Sequence, residues 1–162
     1  MEDEAIQLAV RAVAAALEQH GWRLATAESC TGGWVAKACT DLAGSSNWFE
    51  RGYVTYSNEA KSEELGVPSR AILEHGAVSR EVAVQMAAGA CRPERVQVGL
   101  SVTGIAGPDG GSADKPVGTV WFAWTLPDTP TVSECKKFTG SRADVRRQSV
   151  IHALDRLNDL LV

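Results

Sequence analysis

The segment TAESCTGG, residues 26–33, places two potential nucleophiles side by side, Ser29 and Cys30, directly after an acid, Glu28. The two glycines that follow favour a strand end that turns into a helix. In open α/β sheets ligands collect at the carboxyl ends of strands, and a helix N-terminus there offers unpaired N–H groups to an oxyanion. Ser29 is therefore a candidate nucleophile, and helix capping by Ser29 and Thr31 is the structural alternative.

A serine hydroxyl needs a base to take its proton, and the three histidines of the chain lie away from every such motif. The segment YVTYSNEAK, residues 53–61, offers Lys61 beyond a predicted strand end, together with Tyr56 and Asn58. A lysine acts as a base when burial or a neighbouring cation lowers its pKa. The phenol of Tyr56 would relay a proton or position the lysine. A solvated helix lysine is the alternative interpretation.

A third polar segment, SVTGIAGPDGGSADKPVGTV, covers residues 101–120 and contains Thr103, Gly104 and Gly107. Loops of this length inside compact domains are usually functional or disordered. Its glycines fit neither the dinucleotide-binding fingerprint nor the phosphate loop of nucleotide hydrolases. They still permit close backbone approach to a ligand and supply N–H donors.

The segment FTGSRADVRR, residues 138–147, brings three arginines to the start of the last predicted helix. Arg142 would hold a phosphate group at that helix N-terminus. For Arg146 and Arg147 a solvated helix face is the favoured interpretation.

The main rival nucleophile is the thiol of Cys30, with Glu28 and Lys61 as its partners. On a strand, residues 28 and 30 share one face and Ser29 points to the other, so only one of the two nucleophiles readily faces a site. Packing of Cys30 as a small buried residue is the favoured alternative.

Hydrophobic periodicity and turn residues predict helices and strands that interleave along the chain. The predicted helices cover 3–20 up to Gly21, Thr31 or Gly32 to about Asp41, a short segment capped by Ser57 or Asn58, a turn opened by Pro68, a segment capped by Ser79, and 142–161 with a Ser141–Asp144 capping box. The predicted strands cover 23–28, 49–56, 96–104, 118–126 and an edge strand at 131–138. This order favours an α/β fold, a three-layer α/β/α sandwich with a mixed sheet of about five strands.

Composition limits the classes of function. The chain of 162 residues is expected to form one domain over 1–162. Its net charge of −4 argues against non-specific nucleic-acid binding, and no apolar run is long enough for a membrane span. The acidic N-terminus is unlike a signal peptide, and the four cysteines are scattered, so we expect a cytoplasmic protein without a metal site.

Taken together, TAESCTGGWVAK, GYVTYSNEAKSEELGV, HGAVSREVAVQMA and SVTGIAGPDGGSADKPVGTVWFA occur in an order that resembles the CinA C-terminal domain family over nearly the whole chain. The resemblance implies hydrolysis of nicotinamide mononucleotide to nicotinate mononucleotide and ammonia, in pyridine-nucleotide salvage, without a cofactor. It also implies Ser29 as nucleophile, Lys61 as base and Tyr56 as an assisting residue. Longer family members carry a preceding domain, whose activity we expect to be absent here.

The implied reaction needs donors for an oxyanion and partners for a phosphate, and either the Gly104–Gly111 loop or Arg142 is expected to hold the phosphate. The N–H groups of Thr31–Gly33 are expected to serve the oxyanion. The expected substrate-binding residues are Thr31, Gly32, Gly33, Asn58, Thr103, Gly104, Gly107 and Arg142. A non-catalytic module that senses a nucleotide in the same pocket is the alternative function. A homodimer is also expected; Trp48, Phe49 and Trp124 would form its face or pack in the core.

Overall fold

The computed structural model describes residues 3–162, in which helices and strands interleave as expected. The helices are α1 (Glu4–His20), α2 (Trp34–Asp41), α3 (Asn58–Leu65), α4 (Ser69–His75), α5 (Arg80–Ala90) and α6 (Arg142–Leu161), with a 3-10 turn at Ser45–Asn47. The strands are β1 (Leu24–Glu28), β2 (Phe49–Val54), β3 (Val98–Gly104), β4 (Thr119–Thr125) and β5 (Val132–Lys137). No helix within the described range has the length and apolar character that crossing a membrane requires.

The five strands of the described residues form one mixed sheet in the order β2-β1-β3-β4-β5. β1 pairs in parallel with β2 and with β3, whereas β4 pairs antiparallel with both β3 and β5. The mixed sheet of the predicted α/β fold is therefore confirmed, and β5 is an edge strand as expected. The three parallel strands lie at one side of the sheet, with β1 in the middle.

Side chains of β1 alternate between two apolar layers, as the period of two requires. Leu24 packs into the larger core, which α1, α2 and α6 cover. Ala25 and Ala27 pack on the opposite face, against residues of α3 and α5. The sheet thus lies between two helical layers, which confirms the three-layer sandwich.

Helix α5 lies close to β3 because small residues line that face of the strand. A Cβ added at Gly99 would lie 2.3 Å from the carbonyl oxygen of Ala87, a distance that only glycine permits. Ala83 lies one turn before Ala87 on α5, and its carbonyl accepts from the Ser101 hydroxyl of β3 at 2.6 Å. These contacts fix the height of α5 above the sheet, and with it the segment that leads into α5.

Helix α2 begins at Trp34, not at Thr31 or Gly32 as the sequence predicted. Gly32 and Gly33 have φ values of 62° and 95°, in the left-handed region that a helix interior does not contain. The chain therefore makes a turn of several residues between β1 and α2. That turn carries Ser29 and Cys30.

The aromatic residues considered for a dimer face belong to the core. Trp48 and Trp124 are 1% and 0% exposed, and the indole of Trp124 donates to the Ala153 carbonyl at 3.0 Å. Phe49 is partly buried against the same cluster. Core packing is the interpretation that the structure bears out.

Candidate active site

Three segments meet where the parallel strands end. Glu28, the last residue of β1, pairs with Val54 of β2 on one side and with Val102 of β3 on the other. The chain leaves β1 for β2 on one side and later returns to β3 on the other, so the end of β1 is a topological switch point. The turn after β1, the β2–α3 connection and the loop after β3 are thereby brought to one edge of the sheet.

Ser29 and Lys61 are in direct contact at this edge. The amine Nζ of Lys61 lies 3.0 Å from Oγ of Ser29 and donates to the carbonyls of Thr55 and Tyr56 at 3.0 and 3.2 Å. The Ser57 side chain caps α3 by accepting from the Ala60 amide, and this start places Lys61 in the first turns of the helix. Ser29 and Lys61, 32 residues apart in sequence, form one hydrogen-bonded pair.

The amine of Lys61 is buried, and no carboxylate among residues 3–162 contacts it. Only 1% of the residue is exposed, and the partners of Nζ within residues 3–162 are one hydroxyl and two carbonyls. Burial lowers the pKa of Lys61, because the interior disfavours the charged ammonium. The arrangement fits a lysine that acts as a base.

Cys30 packs into the core next to this pair. Its side chain belongs to the larger core, and the residue also lines the cavity beside Ser29. Burial raises the pKa of the Cys30 thiol to about 12, so the nucleophilic thiolate is scarce at neutral pH. Its position agrees with the packing interpretation rather than with a second nucleophile.

Glu28 is a buried carboxylate that caps α2 from the side of the core. Its Oε1 accepts from the Thr31 hydroxyl at 2.6 Å and from the Val35 amide at 2.8 Å, and its Oε2 accepts from the Ala36 amide at 3.0 Å. Burial raises the pKa of Glu28, and these hydrogen bonds oppose that shift. The carboxylate ties the turn after β1 to the start of α2.

Part of the segment expected to hold an oxyanion takes part in this capping, through the Thr31 hydroxyl. The Gly32 amide donates to the Ser29 carbonyl at 3.0 Å. None of Thr31, Gly32 and Gly33 lines the cavity beside Ser29. Their geometry supports a structural part in holding Ser29, since the donors of the α2 start point to the carboxylate.

Arg146 fixes the same turn from α6. Its guanidinium donates to the carbonyls of Cys30 and Thr31 at 3.1 and 3.2 Å and lies 5.8 Å from the ring centroid of Trp34. The expected solvated position of Arg146 is therefore wrong. Arg147 is exposed as expected, and it pairs with Asp3.

A cavity of about 280 Å³ opens beside Ser29 and Lys61. It is lined by Ser29, Cys30, Tyr56, Asn58, Lys61, Ala77, Val78, Thr103, Gly104, Ile105, Ala106, Gly107, Asp109, Gly110 and Arg142. The residues proposed from sequence thus meet at one cavity, apart from the Thr31–Gly33 segment. A larger groove of about 490 Å³ lies along α4 and α5, but no serine, cysteine or lysine lines it.

Tyr56 contacts the Ser29–Lys61 pair through its backbone carbonyl rather than through its phenol. The Tyr56 carbonyl accepts from Lys61, whereas its hydroxyl accepts from Arg142 at 3.3 Å. The residue as a whole is 63% exposed. Arg142 also donates to the Gly107 carbonyl at 2.7 Å, so one guanidinium links Tyr56 to the loop after β3.

The loop after β3 shapes the other wall of the cavity. The Thr103 hydroxyl donates to the Ala77 carbonyl at 2.9 Å, which joins the end of β3 to the segment before α5. Gly107 has a φ of 85°, and a Cβ there would lie 2.5 Å from Val117. Sequence reasoning did not single out Asp109. In the sequence Asp109 is one acidic residue of the polar loop, and Asp114 of the same loop has the same property.

The polar groups of the cavity suit acyl chemistry. Within residues 3–162 no three His, Cys, Asp or Glu side chains are grouped so that they would hold a metal ion. Ser29 and Lys61 supply a hydroxyl and a basic amine. The rim supplies the amide of Asn58, the carboxylate of Asp109 and the guanidinium of Arg142.

Comparisons with known proteins give matches over nearly the whole chain. The model of the family described as the CinA C-terminal domain matches residues 7–161. The nicotinamide-nucleotide amidohydrolase PncC of Escherichia coli strain K12 is 52% identical over 156 residues, 96% of this chain and 94% of that protein. A CinA-like protein of Geobacter sulfurreducens is 51% identical over 93% of this chain but only 36% of its own length. The crystal structure of the competence/damage inducible protein CihA from Agrobacterium tumefaciens superposes with a TM-score of 0.95 at 40% identity, covering 99% of this chain and 98% of that one.

Proposed function

Because the chain belongs to the CinA C-terminal domain family, we propose that it is an amidohydrolase that converts nicotinamide mononucleotide to nicotinate mononucleotide and ammonia. The name of its Escherichia coli relative supports the substrate class. The observation that carries the proposal is the contact of 3.0 Å between Ser29 Oγ and the buried Lys61 amine at the cavity.

For a neutral amine, the contacts of Lys61 allow proton transfer from Ser29. A neutral amine has two N–H donors and one lone pair. The carbonyls of Thr55 and Tyr56 take the two donors, which leaves the lone pair for the Ser29 hydroxyl. Ser29 then donates its proton to Nζ as Oγ becomes the nucleophile. A positioned base of this kind contributes about 10²–10⁴-fold to the rate.

The reaction then runs in two halves on the same pair. Ser29 Oγ attacks the carboxamide carbon, and its proton passes to Lys61. The tetrahedral intermediate collapses as the C–N bond breaks and Lys61 returns the proton to the departing nitrogen, so that ammonia leaves and an ester on Ser29 remains. A water molecule, deprotonated by Lys61, attacks the ester carbon. The C–O bond to Ser29 breaks, Oγ recovers the proton and the nicotinate leaves.

Substrate binding is assigned to the rim of the cavity. The Asn58 amide and backbone groups of the 103–110 loop are the proposed donors to the substrate. Arg142, a fixed cation between Tyr56 and Gly107, is the proposed partner of the phosphate. Thr103, Gly104 and Gly107 shape the wall that the nucleotide contacts. For Thr31, Gly32 and Gly33 we propose support of Ser29 in place of direct binding.

The cellular setting forms part of the same proposal. The four cysteines, Cys30, Cys39, Cys91 and Cys135, are unbridged, as is usual in a reducing cytoplasm. We place the reaction there, in pyridine-nucleotide salvage. The expected homodimer remains a prediction, and sedimentation of the purified protein will test it.

An ammonia assay tests the proposed function directly. Purified protein is incubated with nicotinamide mononucleotide, and Ser29→Ala and Cys30→Ala are assayed beside it. We expect ammonia release from the unmodified chain and from Cys30→Ala, and none from Ser29→Ala. Tight binding of the mononucleotide without ammonia would instead favour the sensing module. Loss of activity in Cys30→Ala with retention in Ser29→Ala would reverse the assignment of the nucleophile.

A further inference from the structure

The cavity is lined in part by an exposed carboxylate, Asp109, that has no partner among residues 3–162. Lys61, Thr103 and Arg142 all use their polar groups in hydrogen bonds to neighbouring residues. Asp109 lines the same cavity and, within residues 3–162, makes neither a hydrogen bond nor an ion pair. A charged group that faces a cavity uncompensated is available to a ligand of opposite charge.

The proposed substrate carries such a charge. The ring that bears the carboxamide is a pyridinium in nicotinamide mononucleotide, because its nitrogen is bonded to the ribose. The positive ring and the negative phosphate lie at opposite ends of the molecule. The cavity rim also carries both signs, with the carboxylate of Asp109 and the guanidinium of Arg142. Complementary charges of this kind fix the orientation of a ligand.

We propose that Asp109 is a specificity-determining residue that binds the positive charge of the pyridinium ring. This inference rests on the proposed function and goes further, because it limits the substrates to carboxamides on cationic rings. The ring keeps its charge through attack at the carboxamide. Asp109 therefore stabilises the bound substrate and the transition state to a similar degree, and its loss is expected mainly in KM rather than kcat.

The competing explanation is that Asp109 accepts hydrogen bonds from the ribose hydroxyls. The two explanations differ for the reduced mononucleotide, which has the same ribose and phosphate but an uncharged dihydronicotinamide ring. If Asp109 contacts the ring charge, its neutralisation weakens only the oxidised ligand. If it contacts the ribose, both ligands weaken together.

The experiment compares Asp109→Asn with Asp114→Asn, a matched control that removes the same charge from the same loop but does not line the cavity. Dissociation constants of the oxidised and reduced mononucleotides are measured by calorimetry in a Ser29→Ala background, where neither ligand is consumed. KM and kcat for the oxidised ligand are measured in chains that keep Ser29. Thermal unfolding checks that each variant is folded.

We expect Asp109→Asn to weaken the oxidised mononucleotide about tenfold, which is about 1.4 kcal/mol, and the reduced form less than twofold. Asp114→Asn is expected to change neither, and the tenfold difference is expected to shrink with added salt. Equal weakening of both ligands, no weakening, or the same effect from Asp114→Asn would overturn the inference. Absence of ammonia release from the unmodified chain would instead contradict the proposed reaction, and the calorimetric comparison would still decide the part of Asp109.

Discussion

Two buried ionisable side chains lie on opposite faces of the sheet at the end of β1, and their surroundings differ. On one face Lys61 contacts Ser29 and two backbone carbonyls. On the other face Glu28 accepts from the Thr31 hydroxyl and from amides at the start of α2. Burial favours the neutral form of both groups. It therefore lowers the pKa of Lys61 and raises the pKa of Glu28.

The difference lies in what stabilises the charged form of each group. The Glu28 carboxylate receives several N–H and O–H donors and the positive end of the α2 dipole, so its charge is supported in place. The Lys61 ammonium has neutral acceptors and no carboxylate partner among residues 3–162. A buried charge at the positive end of a helix dipole suits structural support, and a buried amine without a carboxylate partner among these residues suits proton transfer. Variants at the two positions therefore test separate effects, on turnover and on folding.

The largest expected effect is on turnover, from Lys61→Met. Methionine approximates the length of the lysine stem but carries no base, so we expect kcat to fall by about 10³-fold or more in the ammonia assay. The free energy of unfolding should change by less than about 2 kcal/mol. Relief of the buried amine offsets the loss of a donor by the Thr55 and Tyr56 carbonyls. Activity within tenfold of the unmodified chain would exclude Lys61 as the base.

The pH dependence of kcat/KM tests the same base without a substitution. The pKa of Lys61 lies below its ordinary value of 10.5, and only the neutral amine accepts the proton of Ser29. Below that pKa the rate should fall about tenfold per pH unit, and above it the rate should level. The profile is measured by ammonia release over about pH 5 to 10. A rate independent of pH down to about pH 5 would contradict a lysine base.

Glu28→Gln is expected to affect folding more than chemistry. The amide keeps one acceptor but turns an NH₂ group toward the donors of α2, so we expect the free energy of unfolding to fall by about 2 kcal/mol in urea denaturation. Displacement of the Ser29 turn should lower kcat by about tenfold. Cys39→Ala, a change in the same core, is a control that should reduce stability with little effect on kcat. A loss of kcat near that of Lys61→Met would mean that Glu28 takes part in the chemistry.

The free energy of unfolding is expected to change with pH in opposite directions for Glu28 and Lys61. The raised pKa of Glu28 gives a stabilising contribution that is lost as pH rises from the ordinary 4.5 through its folded value. The lowered pKa of Lys61 gives the opposite slope, because the unfolded chain binds more protons between the folded value and 10.5. Subtracting the Glu28→Gln and Lys61→Met curves from that of the unmodified chain should reveal these two slopes. If stability changed with pH in the same direction for both groups, the proposed difference between Glu28 and Lys61 would be wrong.

The sheet and its helices were predictable because apolar runs bounded by glycine, proline and capping residues specify them locally. The Ser141–Asp144 capping box, for example, is formed as predicted. The start of α2 was not predictable in this way. Gly32 and Gly33 are compatible with either a helix or a turn, and the choice depends on the buried carboxylate of Glu28.

The pairing of Ser29 with Lys61 depends on tertiary structure, so spacing could not establish it, and the family resemblance supplied it. The role of Glu28 had a signal that was overlooked. An acid on the same face of β1 as Leu24 is directed into the core, where it needs donors, and the next helix start is their nearest source. Arg146 had no comparable signal, since its partners are backbone carbonyls on a distant turn.

The smallest expected effect is that of Tyr56→Phe, which separates the phenol of residue 56 from its backbone. The carbonyl that holds Lys61 is unchanged by the substitution, whereas the hydroxyl bonded to Arg142 is lost. We therefore expect kcat to stay within about threefold, and KM for the mononucleotide to rise modestly as Arg142 loses one of its two partners. A fall of kcat by 10²-fold or more in the ammonia assay, with KM unchanged, would instead assign the phenol to proton transfer. Lys61 and the Tyr56 phenol would then act together as the base. Proton transfer would in that case involve an exposed side chain as well as the buried amine.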